Sequence, residues 1–238
     1  MNRKHLIALS LKYEGDYKAM SKAIVDREPC EEAEAQAITI LDDDYPSCFL
    51  ELPNPPLVLF YKGNIELLKR KNTIGIVGSR VPCEYAIKAT KTLIANRDKD
   101  LCVVSGLSKG IATIAHTFAN ETIGVLGCGI DYYYPFCNKE LIDDMSKNQL
   151  IISEYPAIVK PFSNQFADRN RLIASLSNEL YIMQSTVGKY DVISEAIELG
   201  REVKVLPYEI FDESGIGNME LIREGATPIS RNDLLNLE

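Results

Sequence analysis

The sequence predicts an α/β fold: a doubly wound, mostly parallel sheet with a small helical appendage at its N-terminus. Three observations predict it. Short apolar runs recur from Thr73 onward ("TIGIV", "LCVVSG", "TIGVLG", "LIISEYP", "ELYIM", "EVKVLP"). Each run before the last leads into a stretch with helical character. Several runs end in glycine or serine where the chain turns. Buried strands alternating with helices mark a parallel sheet with right-handed crossovers, because helices must cover both faces of such strands.

In chain order, "HLIALSLKYEG" and "YKAMSKAIVDR" are two short amphipathic helical runs separated by Gly15 and Asp16. They are too short to fold alone and are expected to pack on the main domain. "AQAITILDDDYPSCFLELPNPPLVLFYKGN" combines a short strand, a turn and a second strand ending at Gly63. Pro53, Pro55 and Pro56 keep its middle extended. After "TIGIV" a helix runs through "EYAIKATKTLIANR". After "LCVVSG" comes "IATIAHTFANE", after "TIGVLG" comes "KELIDDMSKN", and after "LIISEYP" a helix is expected from about Asp168 to Asn178. "ELYIM" leads into "YDVISEAIELG", and "EVKVLP" closes the series, leaving a short helix at "NMELIREGA" and an end piece. The division is a helical segment at 1–36 and a Rossmann-like domain at 37–238.

Composition narrows the function classes. With 46% hydrophobic and 25% charged residues the chain is ordinary globular material. No apolar run approaches the roughly 20 residues that span a bilayer. Lys12, Glu14 and Asp16 interrupt the apolar start, so no signal peptide is read, and a cytoplasmic location is expected. Six scattered cysteines without a CxxC pair read as core thiols, and with two histidines a zinc site is not expected. No cofactor is implied. The net charge of −8 is unevenly placed: residues 1–51 carry −5, residues 191–238 carry −7, and residues 52–190 carry +4. A basic centre between acidic ends suits an anion-binding face.

In an open parallel sheet that face is the carboxyl edge of the strands. The residues falling there are Gly78, Ser79 and Arg80, then Ser105, Gly106 and Lys109, then the Gly127–Asp131 turn, then Glu154, then Gln184 to Lys189. Glycines let backbone approach a ligand closely, and helix N-terminal amides then face a phosphate. "FADRNRLIASLS" adds Phe166, Arg169, Asn170 and Arg171. Arginines at the expected start of a helix oppose its dipole, which makes sense where an anion sits against them. "GIVGSR" lacks the full GxGxxG pattern and no GxxxxGK[ST] loop occurs, which disfavours a nicotinamide or flavin enzyme and a P-loop hydrolase. His116 lies in an apolar helix and reads as a packed side chain, with no triad around it. Tyr132, Tyr133 and Tyr134 suit either a loop of stacking aromatics or a turn packed on the sheet edge.

The strings "YPSCFLELPNPPLVLFYKGN", "IGIVGSR", "VVSGLSKGIATIAH", "TIGVLGCGIDYYYP", "LIISEYP", "FADRNRLIASLS" and "GIGNMELIREGATPI", in this order, resemble the DNA-processing protein A (DprA/Smf) family over roughly residues 37–230. The resemblance implies an extended Rossmann fold that binds and protects single-stranded DNA and helps load a RecA-type recombinase in natural transformation. It implies a homodimer and no catalytic role. Carried over by position, the DNA pocket uses Gly78, Ser79, Arg80, Ser105, Gly106, Lys109, Phe166, Arg169, Asn170 and Arg171. There are departures. Ala112 stands where the family has an acid, and Val187-Gly188-Lys189 replaces a Ser-Gly-Ser turn, so that Lys189 would exchange hydroxyl contacts for charge. The family's longer N-terminal helical domain is reduced to a remnant, and the winged-helix-like C-terminal domain of some members is missing. The alternative is a Rossmann-type enzyme or sensor acting on a small nucleotide, with Glu154 as its candidate acid.

Overall fold

A computed structural model describes residues 1–157, 159–187 and 191–236. Its frame is a nine-stranded sheet. The strands are β1 (Ala37–Thr39), β2 (Val58–Gly63), β3 (Thr73–Val77), β4 (Cys102–Gly106), β5 (Glu121–Val125), β6 (Leu150–Ser153), β7 (Glu179–Ile182), β8 (Glu202–Val205) and β9 (Thr227–Pro228). Their order across the sheet is β1-β2-β6-β5-β4-β3-β7-β8-β9. From β6 to β9 every neighbouring pair is parallel, whereas β1 and β2 join antiparallel at the β6 edge. The expected doubly wound sheet is therefore present, with an antiparallel ribbon added. Gly63 ends β2 with φ +91°, and a Cβ there would lie 2.0 Å from the Gln149 carbonyl, so that close approach requires glycine.

The helices are α1 (Arg3–Lys12), α2 (Tyr17–Val25), α3 (Glu84–Ala95), α4 (Ile111–Phe118), α5 (Lys139–Asn148), α6 (Ser163–Leu176), α7 (Asp191–Glu198), α8 (Ile216–Arg223) and α9 (Arg231–Leu235). Period-two alternation splits the strands between two cores. Val104, Ile123, Leu180 and Ile182 meet Leu172 and Ile173 of α6 and Val192 and Ile193 of α7 on one face. Ile74, Ile76, Val103 and Tyr181 meet Ala86 and Leu93 of α3 and Ile111 and Ala115 of α4 on the other. A third cluster joins Leu6, Ile7, Leu9, Met20 and Ala23 of the N-terminal helices to Phe60 and Ile151, which is the packing expected of runs too short to fold alone.

Two expectations are corrected. β8 does not close the series, because Thr227 and Pro228 pair in parallel with Lys204 and Val205. The helix expected from Asp168 starts five residues earlier, at Ser163. Its first turn is polar ("SNQ") and lacks an apolar period, yet the Gln165 side chain is buried and accepts from the Phe162 amide at 2.8 Å, which anchors the start. Arg169 and Arg171 therefore sit beyond the first turn and do not face the helix dipole at its terminus. α6 is the crossover that matters for the site. The chain runs outward through β4, β5 and β6 and returns along α6, which lies over β5, β4 and β3, before entering β7 beside β3.

Candidate nucleic-acid interface

The carboxyl ends of β3, β4 and β5, the early turns of α6 and the 131–136 loop enclose a cavity of about 770 Å³. Its polar side is cationic. Arg80 leaves β3, Lys109 leaves β4, and Arg169 reaches in from α6. Its other side is apolar, formed by Phe166, Tyr134, Phe136 and their neighbours.

Arg169 is the centre of the site. One α-helical turn separates it from Phe166, so both side chains leave the same face of α6. The guanidinium lies on the bare backbone of Gly106; a Cβ at that position would stand 1.7 Å from Nη1. Nη1 donates to the Val125 carbonyl at 2.9 Å. Nε is sealed from solvent and has no partner, and no carboxylate pairs with the group among the described residues. Burial, with Arg80's like charge acting in the same direction, draws this guanidinium down to about 10, so it remains charged at neutral pH. A half-buried cation with no anion beside it among the described residues is costly, and this one stands at the foot of an open cavity.

The glycines and hydroxyls around it shape the loops. Ser79 Oγ accepts from the Val81 amide at 3.1 Å, and the Ser79 carbonyl accepts from the Ile111 amide. Gly110, at φ +75°, lets the β4–α4 turn approach Ser79 and Arg80, where a Cβ would lie 2.3 Å from the Ser79 carbonyl. Gly78 packs against Ile111, and its own Cβ would fall 2.8 Å from Cγ1. Asn138, buried at the start of α5, donates to the carbonyls of Leu107 and Ser108 at 3.1 and 3.2 Å, fixing the loop that carries Lys109.

The structure brings Gly78, Ser79, Arg80, Gly106, Lys109, Phe166 and Arg169 to one edge. Three expected residues fall elsewhere. Ser105 Oγ points into the sheet and donates to the Ile76 carbonyl at 2.5 Å. Asn170 is half-buried and does not line the cavity. Arg171 is buried on the far side of α6, where Nη1 and Nη2 each hold a Glu154 oxygen at 2.6 Å and Nη2 also donates to the Asn54 carbonyl. Its anion belongs to the protein. Lys189, with the altered turn at Gly188, lies outside the described residues. Ala112 is buried.

His116 is packed, as expected. Nε2 donates to the Gly106 carbonyl at 3.1 Å and Nδ1 lies 2.7 Å from Thr122 Oγ1. Burial draws the imidazole down to about 4, so it is neutral at pH 7 and braces the strand end beneath Arg169. Tyr134 faces the cavity and packs on Phe166, with the rings 5.6 Å apart at 42°. Phe136, which the sequence reading misses, lines the same wall, and the run "YYYPF" is the signal that marks both. No described helix is long and apolar enough to cross a membrane, and no metal-binding cluster occurs among the described residues.

A family described as DNA recombination-mediator protein A matches residues 36–237. The chain belongs to that family. Within it, the chain is 38% identical to the DNA processing protein DprA of Streptococcus pneumoniae over 196 residues, spanning 80% of this chain and 69% of that one. It is 36% identical to DprA of Bacillus subtilis over 203 residues, spanning 81% and 67%. Among solved structures, the S. pneumoniae DprA matches with a TM-score of 0.80 and 30% identity, covering 99% of this chain and 93% of that one. DNA processing protein A of Helicobacter pylori, whose single-stranded DNA binding mode has been described, matches with a TM-score of 0.75 and 30% identity, covering 85% and 95%. The DprA resemblance of the motifs and the DprA-like Rossmann fold are thereby both established.

Proposed function

We propose that this DprA-family chain binds single-stranded DNA along the carboxyl edge of its sheet, protects it, and delivers it as a homodimer to a RecA-type recombinase in the cytoplasm. The observation that carries the binding is Arg169: a charged guanidinium with a sealed, unpartnered Nε and no carboxylate among the described residues, at the foot of a cavity whose rim carries Arg80 and Lys109. A phosphodiester supplies the missing charge, and the planar guanidinium suits its oxygens. Phe166 beside it offers a face for a base. The family membership and the described binding mode of the H. pylori relative support the same reading.

The alternative of a nucleotide-cleaving enzyme is weakened by Glu154, because both carboxylate oxygens are occupied by Arg171. Fluorescence anisotropy with labelled oligo(dT) tests the proposal. Arg169→Ala and Arg80→Ala are each expected to weaken binding about tenfold or more, as loss of a charge-assisted phosphate contact does. Unchanged affinity in both variants would sink it. A thermal-shift comparison covers the alternative: stabilisation by a mononucleotide and none by the oligomer would favour a nucleotide site. Delivery is read separately, from the rate of RecA filament formation on strands precoated with a strand-coating protein.

A further inference from the structure

Outside the cationic cavity, the N-terminal segment brings one thiol against one imidazole. Cys30 Sγ lies 3.7 Å from each ring nitrogen of His5 and 3.9 Å from the His5 carbonyl oxygen. We infer that this pair is a modification site: Cys30 is the thiol of this chain that a hydroperoxide oxidises to a sulfenic acid, with His5 taking up and returning the proton. The fold makes the contact, since 25 residues separate the two in sequence. α1 carries His5, and the chain beyond α2 returns along α1, where the Ala33 amide donates to the Lys4 carbonyl at 3.3 Å and keeps Cys30 beside the ring. Both residues are half-buried, so the sulfur is held in place without being sealed from solvent.

His5 also lines a surface cavity of about 700 Å³ with Asn2, Ala23, Ile24 and Arg27. Arg27 is exposed and makes no ion pair among the described residues. Of the four carboxylates in the 28–34 run, three are occupied: Glu28 by Lys12 and the Tyr13 hydroxyl, Glu32 by Asn2, and Glu34 by Lys4. Glu31 stands exposed. An imidazole that accepts the thiol proton, with a guanidinium on the same cavity, favours the thiolate, which is the nucleophile. The other cysteines lack this setting. Cys102 and Cys128 are buried, and burial pushes both thiols up to about 12. Burial raises Cys48 as well. Cys83 Sγ has the Tyr208 hydroxyl at 3.8 Å. Cys137 is exposed, and its sulfur meets the Asn138 amide oxygen at 3.7 Å, a group that takes no proton at neutral pH. The chain's other histidine, His116, is buried against Gly106 and Thr122.

The step balances. The thiol proton passes to the imidazole, the sulfur attacks the terminal peroxide oxygen, and the O–O bond breaks. The sulfur gives up an electron pair and keeps that oxygen as Cys–SOH, while the leaving oxygen takes the proton and departs as water or an alcohol.

The test treats the full chain with hydrogen peroxide, traps sulfenic acid with dimedone and locates it by mass spectrometry. Cys30 is expected to be trapped at least several-fold faster than Cys137, the exposed thiol without an imidazole. His5→Gln should slow trapping at Cys30 about tenfold or more and leave Cys137 unchanged. The comparison of Cys30 with Cys137 in wild type needs no variant, so it decides the matter even where His5→Gln loosens the N-terminal helices. If Cys137 reacts as fast as Cys30 in wild type, or Cys30 reacts as fast in a folded His5→Gln chain as in wild type, the inference falls. The DNA-binding reading stands or falls separately, because oligo(dT) plays no part in the measurement.

Discussion

Two arginines two positions apart in sequence stand in opposite surroundings: among the described residues one meets a carboxylate and the other does not. Arg171 completes a buried bidentate pair with Glu154 and ties α6 to the 52–56 segment through the Asn54 carbonyl. Arg171→Ala strands a buried carboxylate, and breaking such a pair costs roughly 3–5 kcal/mol. The expected result is a melting temperature lower by about 10 °C, whereas Arg169→Ala, which removes a half-buried charge with no carboxylate beside it among the described residues, should leave stability nearly unchanged. A melting curve of each variant separates the two. His116 gives a prediction in pH. Its imidazole is held neutral and sits at about 4 in the fold against 6.5 when free. Between those values the unfolded chain binds the extra proton, so stability falls as pH drops from about 6.5 towards 4. Its share between pH 7 and pH 5 is about 2 kcal/mol. Urea titrations at both pH values should show that difference in wild type and lose about that much of it in His116→Gln.

At the scale of elements, the site is an approach between the end of β4 and the second turn of α6. Glycine at 106 makes room for the guanidinium. Gly106→Ala puts a methyl group where Nη1 lies, and a flexible guanidinium moves aside at little cost to the fold. The variant is therefore expected to melt close to wild type but to bind oligo(dT) as weakly as Arg169→Ala. Normal affinity in Gly106→Ala would show that the guanidinium position is not what binding needs. The strands and their order of appearance were legible, since apolar runs such as "TIGIV" and "LCVV" are long enough to reveal buried strands. The start of α6 was not: Ser163, Asn164 and Gln165 carry no apolar period, and Gln165 acts through a hydrogen bond that only the fold creates. β9 escaped for a similar reason, because two residues hold a strand only where a sheet edge is already waiting.

At the scale of the whole molecule, an acidic chain of net charge −8 presents three cations, among the described residues, around the cavity at one edge of its sheet. Affinity for a single strand should then depend on salt through those contacts. With about three phosphates neutralised per protomer, log K against log salt is expected to fall with a slope near −2. A flat salt dependence would mean that phosphates do not drive binding. On the DNA-binding reading, the excess negative charge elsewhere disfavours non-specific contact of the strand with the rest of the surface.

The sequence by itself determined the sheet, its parallel character, the family and the edge where the candidate site lies. These rest on local apolar periodicity and on short motifs whose residues are contiguous. Only the tertiary structure decided which of those residues face the cavity. Ser105 turned into the sheet, Arg171 found Glu154 across 17 residues, Arg169 lay over Gly106 with no carboxylate among the described residues, and the Tyr134–Phe136 loop closed the other side. Side-chain direction and charge pairing depend on groups distant along the chain, and a linear pattern holds no record of which partner arrives.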